Sequence, residues 1–261
     1  MRVEAARFHV VLVGCGGTGS YVFYYLSRLM FTELQKEFGK RTTVVLVDGD
    51  TVEPKNLYRQ NFIESDVGLN KAYVLARRYS TAYGIHVEYY DRYADVDCLE
   101  RLLQYTYRPY LGMVVPILVG CVDNHVARRA LHETFEGFRG PLIYIDAGNG
   151  EATGQVVIGV KGKVEKEIFC SQVSEVFAEP AGKILPNLLE PEDEEEESGL
   201  SCADLSLRDG QSIMANFATA TLVNVALNSI INHHKIPFHM AATDILTGKT
   251  KTVPIRRLKK S

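Results

Sequence analysis

Five charged residues stand out, three acids that come at or just after the ends of apolar runs and two cations that lie between them in the sequence. They are Asp48, Asp50, Arg59, Lys71 and Asp123. Two neighbouring cations suit phosphoryl or nucleotidyl chemistry, since negative charge accumulates on phosphate oxygens as the leaving group departs. Carboxylate oxygens suit Mg²⁺, which usually keeps several waters and bridges to substrate phosphates. These residue types therefore predict chemistry on a metal-bound polyphosphate.

A loop that could hold such a phosphate lies near the start of the chain. Residues 8–20 read FHVVLVGCGGTGS, an apolar run followed by closely spaced glycines, and helical periodicity follows. Gly14, Gly16 and Gly19 fit G-x-G-x-x-G, where the missing Cβ lets the backbone turn sharply and approach a phosphate. The N-terminus of the helix that follows favours an anion. The motif alone is weak, because many dinucleotide-binding enzymes share it.

Two amides accompany the cations and make the pattern more specific. Asn56 and Gln60 flank Arg59 in NLYRQ, and Lys71 comes eleven residues after Gln60. A plain dinucleotide-binding domain needs one acid about 20 residues after the glycines to hold a ribose. The added cations, amides and Asp123 are more than hydride transfer requires, and together they predict a site for Mg-ATP.

Apolar strands alternate with helices along the region that carries these residues. The predicted strands cover 42–48, 85–89, 113–122, 142–147 and 154–161, and a terminal hairpin covers 238–246 and 251–255. The first predicted helix ends near Phe38, and later helices cover 68–83, 96–105, 124–138 and 209–234. This order predicts an α/β fold with a Rossmann-like, doubly wound, mainly parallel sheet and antiparallel C-terminal strands. Such a sheet brings Asp48 and Asp123 to the edge that holds the glycine loop.

The bulk composition suits one domain of 261 residues. The formal net charge is −3, but seven acids lie in 190–197, and the other residues carry 29 basic and 25 acidic groups, or +4. That mildly basic body suits a polyphosphate and is too weak to argue for nucleic acid. We predict a single domain, with a nucleotide-binding half (1–150) and a partner-binding and dimerisation half (151–261) that contains an acidic loop at 186–200.

Cysteine usage and the uncharged C-terminal helix suggest a cytoplasmic setting. The five cysteines are odd in number, widely spaced and without a C-x-x-C pair: Cys15, Cys98, Cys121, Cys170 and Cys202. Neither a disulfide framework nor a zinc site is expected. The glycine motif leaves no room for a signal peptide before it. The segment 211–232 is uncharged but interrupted by four asparagines, which favours a buried or interface helix over a membrane span.

Five motifs resemble those of the ThiF/HesA/MoeB family, the adenylating relatives of ubiquitin-activating enzymes: Gly14–Ser20, Val47–Asp50, Asn56–Gln60, Lys71 and Val122–Asn124. This resemblance covers about residues 8–150. Three later features resemble, more loosely, the ThiF-type protein of bacterial ParB-related, ThiF-related (PRTRC) cassettes: Ser201-Cys202, the amide-rich helix and residues 245–254.

The family resemblance implies an ATP-dependent adenylation. The C-terminal glycine carboxylate of a small β-grasp protein, ubiquitin-like or sulfur-carrier-like, would attack the α-phosphate and release pyrophosphate. The glycines that would approach the phosphates are Gly14, Gly16, Gly17 and Gly19. Asp48 would hold the ribose hydroxyls, and Asp50 the ribose or metal region.

The remaining implied roles concern the triphosphate. Asn56, Arg59 and Lys71 would steady it and its developing charge, and Gln60 would support them. Asp123 would hold Mg²⁺. No enzyme base is required, because a carboxylate is already ionised near neutral pH, so positioning and the cations would carry the rate.

The resemblance also raises a thioester step and a dimer. Some family members capture the acyl group on a cysteine, and Cys202 is the candidate because it follows a flexible polar loop and precedes a helix. Cys170 is the alternative. Several members carry C-x-x-C pairs for structural zinc, and this chain has none. Many members take an arginine from the N-terminal segment of a dimer partner; only Arg2 and Arg7 precede the first strand, and that role stays unassigned.

Two other functions stay open at this point. An NAD(P)-dependent oxidoreductase is the ordinary use of G-x-G-x-x-G, but it leaves Arg59, Lys71 and Asp123 unexplained. A non-catalytic nucleotide-binding scaffold of a plasmid cassette would keep the fold for partner binding. No nucleic-acid or membrane partner is expected, and the adenylating enzyme is expected to be a homodimer.

Overall fold

The computed structural model of the chain describes residues 7–35, 42–104, 114–162, 178–190 and 213–255. Eight strands in these residues form one sheet. They are β1 (Arg7–Val13), β2 (Thr43–Val47), β3 (Glu88–Tyr90), β4 (Val114–Gly120), β5 (Leu142–Asn149), β6 (Thr153–Lys161), β7 (Met240–Asp244) and β8 (Thr250–Val253). The helices are α1 (Gly17–Leu34), α2 (Lys71–Tyr83), α3 (Val96–Gln104), α4 (His125–Gly137), α5 (Ala181–Ile184) and α6 (Ile213–His233), with short 3₁₀ helices at Pro54–Tyr58, Glu64–Asp66 and Pro186–Leu189.

The strand order is β3-β2-β1-β4-β5-β6-β7-β8. The first five strands of this order are parallel, and β6, β7 and β8 are antiparallel. The strand order reverses between β1 and β4, because β2 and β3 lie on one side of β1 and β4 lies on its other side. In the register, Val13 lies opposite both Val47 and Gly120. The predicted α/β sheet, mainly parallel with antiparallel C-terminal strands, is confirmed. The crevice at this reversal is where ligands bind in such folds.

Alternation along the strands divides the core into two layers. Val10 and Leu12 of β1 pack with α1, α2 and α6, whereas Val11 and Val13 pack with α3 and α4. Because successive strand side chains point to opposite faces, one apolar run supplies both layers. The central parallel strands are therefore covered on both sides.

The apolar composition of α6 reflects its packing. Within the described residues it is the one helix long and apolar enough, by length and composition alone, to cross a membrane. Its Val223, Ala226 and Leu227 are fully buried in the layer that also contains α1. This agrees with the expected buried or interface helix, whose predicted first residues, 209–212, lie outside the described part of the chain.

Two predicted boundaries were wrong for identifiable reasons. α2 begins at Lys71 instead of residue 68, because the Asn70 side chain accepts the N–H of Tyr73 (2.9 Å) and caps the helix. β3 covers Glu88–Tyr90 instead of 85–89, since the apolar residues Ile85 and Val87 are buried without joining the sheet. Apolar alternation thus identified burial correctly but not the strand pairing.

The glycine loop yields a stability prediction. A Cβ on Gly19 would lie 1.8 Å from the Gly14 carbonyl oxygen, so Gly19→Ala should force the loop apart and lower the free energy of unfolding, by about 3 kcal/mol. Gly68→Ala is the control, because nothing lies within 4 Å of its Cβ position and only its φ of +85° opposes alanine, at a cost of about 1–2 kcal/mol. Urea denaturation measures both, and equal losses would contradict the close approach.

Candidate functional site

The glycine loop connects β1 to α1 and is hydrogen-bonded to the end of the neighbouring strand β2. The Gly14 N–H donates to the Val47 carbonyl (2.9 Å). Gly14 has a φ of +88°, and a Cβ there would lie 2.5 Å from the carbonyl oxygen of Cys121. Gly16 is the N-cap residue of α1, which therefore begins at Gly17 without a hydrogen bond from a capping side chain. Uncapped N–H groups at a helix N-terminus favour an anionic ligand such as a phosphate.

Asp48 is tied to this loop through its carboxylate. Its Oδ2 accepts the N–H of Cys15 (2.6 Å), and its Oδ1 accepts the N–H of Asp50 (2.8 Å). Burial raises the pKa of Asp48, although both backbone hydrogen bonds and Lys71 oppose that shift. The sequence placed this acid at the same edge as the glycines, and the structure brings the two into direct contact.

Asp50 and Lys71 form an ion pair beside Asp48. Lys71 is the first residue of α2, is 7% exposed, and places its Nζ 2.9 Å from Asp50 Oδ2. Burial acts to raise the pKa of Asp50, but hydrogen bonds from Tyr93 and Lys71 outweigh it, so the pKa lies below its ordinary value. A nearly buried cation is therefore held by an acid at the strand edge.

Tyr93 belongs to this cluster and was missed by sequence reasoning. Its hydroxyl donates to Asp50 Oδ1, and its ring lies so close to Gly49 that a Cβ there would be 2.8 Å from the ring. The hydrogen bond to Asp50, followed by the charges of Asp50, Asp48 and Asp123, raises the pKa of Tyr93 to about 12. The charges of all three acids therefore act on one hydroxyl. No pattern in the sequence signals this, because the contact depends on how the chain leaves β3.

Asn56, Arg59 and Gln60 share one short turn. Asn56 is buried, its Oδ1 accepts the N–H of Glu53 (2.9 Å), and its carbonyl accepts the N–H groups of Arg59 and Gln60. The Asn56 amide thus stabilises the turn, and Arg59 lies partly exposed on it. Gln60 is 8% exposed and its side chain lies against the loop, 3.8 Å from the Cβ position of Gly16.

Two buried amides beside the loop have polar atoms without partners. Within the described residues, Gln60 Oε1 and Asn216 Nδ2 make no hydrogen bond. Asn216 of α6 lies against Gly17, and its Oδ1 accepts from Asn149 Nδ2 (2.8 Å). Buried polar atoms normally have partners. Orphaned amide atoms beside a glycine-rich loop fit a site shaped for a polar ligand such as a triphosphate.

Asn216 is the second residue that sequence reasoning passed over. Its only sequence signal is an amide within an uncharged, apolar helix, and that signal predicts burial without naming a partner. Asn216 contacts two other parts of the chain, the start of α1 at Gly17 and Thr18 and the end of β5 at Asn149.

Asp123 follows β4 at the same edge and is exposed. Asn124, and not Asp123, caps α4, because Asn124 Oδ1 accepts the N–H of Ala127 (2.8 Å). In the described ranges no group of three or more His, Cys, Asp or Glu side chains could hold a metal by itself. Mg²⁺ commonly takes one or two carboxylates and completes its shell with phosphates and water, so the acids present fit a cation that arrives with a nucleotide.

Several predicted residues lie outside the described part of the chain: Arg2, Cys170, Cys202 and residues 191–200 of the acidic loop. Two of the described cysteines, Cys15 and Cys121, lie beside the glycine loop. Burial raises the pKa of both thiols. Since the thiolate is the reactive form, neither is a good nucleophile.

Solved structures share this fold over almost the whole chain. PaaA matches with a TM-score of 0.56 and 20% identity, over 96% of this chain and 64% of PaaA. MccB of E. coli, solved with AMPCPP and MccA, matches with a TM-score of 0.57 and 17% identity over 96% and 64%. The structure of MccB with ATP matches with a TM-score of 0.56 and 18% identity, over 95% of this chain and 64% of MccB. The chain thus spans less than two thirds of the length of these proteins.

Sequence comparison gives a matching family but no individual relative. No curated protein matches the chain. The model of the ThiF family matches residues 3–261, nearly the whole chain. The chain therefore belongs to the ThiF family.

Proposed function

We propose that this protein is an adenylyltransferase, which uses ATP and Mg²⁺ to activate the C-terminal carboxylate of a small ubiquitin-like or sulfur-carrier-like protein. One observation carries the proposal: Asp48 bonds to the glycine loop and to Asp50, Asp50 pairs with Lys71, and Asp123 follows β4, which pairs with β1 next to that loop. Family membership and the likeness in fold to MccB, which has been solved with ATP and with MccA, support it.

The proposed reaction replaces a phosphoanhydride bond of ATP with a mixed carboxylic–phosphoric anhydride bond. A carboxylate oxygen of the protein substrate bonds to the α-phosphorus of ATP, and the bond from that phosphorus to the bridging oxygen of pyrophosphate breaks. The products are an acyl-adenylate and pyrophosphate. The attacking carboxylate is already ionised near neutral pH, so no proton needs to be removed.

The chain's own residues would act by positioning and by charge. The N-terminus of α1 and the glycine-rich loop at Gly14–Gly19 would bind the phosphates. Lys71 and Arg59 would stabilise negative charge that moves onto the departing pyrophosphate. Asp48, fixed by the N–H groups of Cys15 and Asp50, has lone pairs left for the ribose hydroxyls. Gln60 and Asn56 would hold the loop and the turn in place.

Asp123 would hold Mg²⁺, with Asp50 near the ribose or the metal. When bound, Mg²⁺ would neutralise phosphate charge and orient the phosphate oxygens. Asn124 supplies the cap of α4, so the carboxylate of Asp123 is not needed for that role.

The protein substrate and the setting are finer proposals. We assign residues 1–150 to nucleotide binding and 151–261 to partner binding and dimerisation within one domain, in the cytoplasm. A partner with a β-grasp fold and a C-terminal glycine suits the space left beside a glycine-rich loop. An association with PRTRC cassettes stays a prediction from the C-terminal motifs.

A homodimer is part of this proposal, and an uncharged face of α6 supports it. Ile213, Phe217 and Val225 are 45–49% exposed and spaced by multiples of four residues, so they share one side of the helix. Tyr25 of α1 is partly exposed beside this side and donates to Asn228 (3.1 Å). A face without charge can meet its own copy across a two-fold axis without like-charge repulsion.

ATP–pyrophosphate exchange tests the adenylation. Wild-type protein should exchange label only when a suitable small protein ending in glycine is present, and Lys71→Ala or Asp123→Ala should lower the rate by about 10²-fold or more, because each removes charge stabilisation at the phosphates. Arg77→Ala and Glu133→Ala are matched controls. Arg77 is exposed on the same helix as Lys71, and Glu133 is exposed on α4, the helix that follows Asp123.

Two results would contradict the adenylation. ATP binding without exchange for any candidate partner would favour the non-catalytic scaffold. Binding of a nicotinamide dinucleotide together with no affinity for ATP would favour the oxidoreductase.

A thioester step is tested by mass spectrometry of the conjugate. If Cys202 accepts the acyl group, a thiol-sensitive conjugate should form and disappear in Cys202→Ser, while Cys98→Ser, at a buried position, should keep it. A conjugate that survives Cys202→Ser and is lost in Cys170→Ser would move the role to Cys170. Stable conjugates in both variants would end the thioester proposal for these cysteines.

The homodimer is tested by sedimentation velocity. Val225→Glu should convert the dimer to a monomer, because a charge would be buried unpaired at the interface. Val126→Glu is the control, since Val126 is 64% exposed on α4, away from α6. A monomeric wild type, or a dimer unaffected by Val225→Glu, would refute this interface.

A further inference from the structure

A nearly buried charge pair lies beside the candidate site. Arg128 of α4 and Asp146 of β5 have side-chain exposures of 11% and 3%, and Arg128 Nε lies 3.4 Å from Asp146 Oδ2. Removing two charges from water costs several kcal/mol per ion. Arg128 also lies in the first turn of α4, where the helix dipole disfavours a cation. The position therefore needs a reason beyond helix stability.

The contacts of the guanidinium suggest that reason. Arg128 Nη2 donates to the carbonyl of Val122 (2.8 Å) and lies 3.4 Å from the carbonyl of Ala147. Val122 immediately precedes Asp123, so Arg128 reaches back over the start of its own helix to the loop that carries the candidate metal ligand. The same group joins that loop to the end of β5.

Backbone hydrogen bonds restrain the loop between β4 and α4 less than the guanidinium does. The last sheet pairing of β4 is at Gly120, and the Cys121 N–H donates to Val13 (2.8 Å). Residues 121–124 lie outside regular secondary structure until α4 begins. The Val122 carbonyl would therefore depend on a side chain for its position, and Arg128 supplies it.

Asp146 is itself fixed from two sides. It pairs in register with Gly120 of β4 and Val157 of β6, and the Tyr144 hydroxyl donates to its Oδ2 (2.5 Å). Arg128 Nε has no hydrogen bond of good geometry within the described residues, so Asp146 holds the guanidinium by charge while Nη2 makes the directional contacts. Burial raises the pKa of Asp146, and Arg128 opposes that shift.

We propose that Arg128 is a positioning residue, which fixes the backbone before Asp123 so that the Asp123 carboxylate can take a divalent cation bound to a nucleotide triphosphate. Asp146 and Tyr144 anchor Arg128 for this task. The proposal rests on the proposed function only in taking Asp123 as the metal ligand. It adds three residues that do not touch the nucleotide but set the affinity for its metal.

The test measures metal binding without any protein substrate. Mn²⁺ electron paramagnetic resonance reports the affinity of the protein–ATP complex for the metal, and calorimetry in EDTA reports binding of metal-free ATP. Arg128→Lys keeps the charge but not the planar fork that reaches both carbonyls. It should weaken Mn²⁺ binding about tenfold, as loss of a group that orients a ligand does, and change metal-free ATP binding by less than about twofold.

Two further variants sharpen the result. Arg129→Met should change neither affinity, because Arg129 is exposed and donates to Leu189 (2.7 Å), away from Asp123. Tyr144→Phe keeps every charge and should weaken Mn²⁺ binding in the same direction by a smaller factor. It preserves the test if Arg128→Lys does not fold.

The outcomes separate this proposal from the adenylation. Unchanged Mn²⁺ affinity in both Arg128→Lys and Tyr144→Phe would overturn it, as would equal losses of metal-free and metal-bound ATP affinity, which would indicate a general distortion. If Mn²⁺ affinity falls as expected while no partner supports pyrophosphate exchange, the positioning role stands and the adenylation falls.

Discussion

The close approach of α1 to the ends of the central strands is the constraint on which the rest of the structure depends. A Cβ on Gly14 would meet the carbonyl of Cys121, and a Cβ on Gly19 would meet the carbonyl of Gly14. Three backbone groups close the junction, since Gly14 and Cys121 bond to the ends of the neighbouring strands and Cys15 bonds to Asp48. A loop this tight has no room for side chains at its glycines and therefore leaves polar backbone exposed at those positions to the crevice.

That surface determines the electrostatics around it. The charges of three acids act on one tyrosine hydroxyl, and such a group would repel a polyphosphate unless cations offset it. Lys71 neutralises Asp50, and the Tyr93 hydroxyl occupies the other oxygen of the same carboxylate. Each carboxylate oxygen of Asp48 accepts a hydrogen bond from a backbone N–H group. Asp123 is exposed, and in the proposed function it is the acid of this group that meets the cation of the nucleotide.

The C-terminal half completes the site by long-range contacts. α6 packs along α1 and carries Asn216 to Gly17, while β5 brings Asn149 to the same amide. Gly17 permits this contact, because a Cβ there would lie 2.6 Å from the Asn216 side chain. The uncharged helix α6 thus has two different sides. One side is buried against the glycine loop, and the other is exposed.

The sequence by itself determined the elements and most of the candidate site. Apolar runs, the glycine spacing and the acids at strand ends are local patterns, and parallel strands necessarily bring their carboxyl ends to one edge. The family motifs added Asn56, Arg59, Gln60 and Lys71 to that edge. Boundaries were less well determined, since Ile85 and Val87 are apolar and buried, yet pairing with β2 begins only at Glu88.

Only the tertiary structure decided which side chains from distant segments meet. Tyr93 reaches Asp50 across 43 residues, and Asn216 reaches Thr18 across 198. The Arg128–Asp146 pair depends on the register between β4 and β5. Local patterns determine whether a residue is buried or exposed. Side-chain partners depend on register and on how helices pack, which no short stretch of sequence encodes.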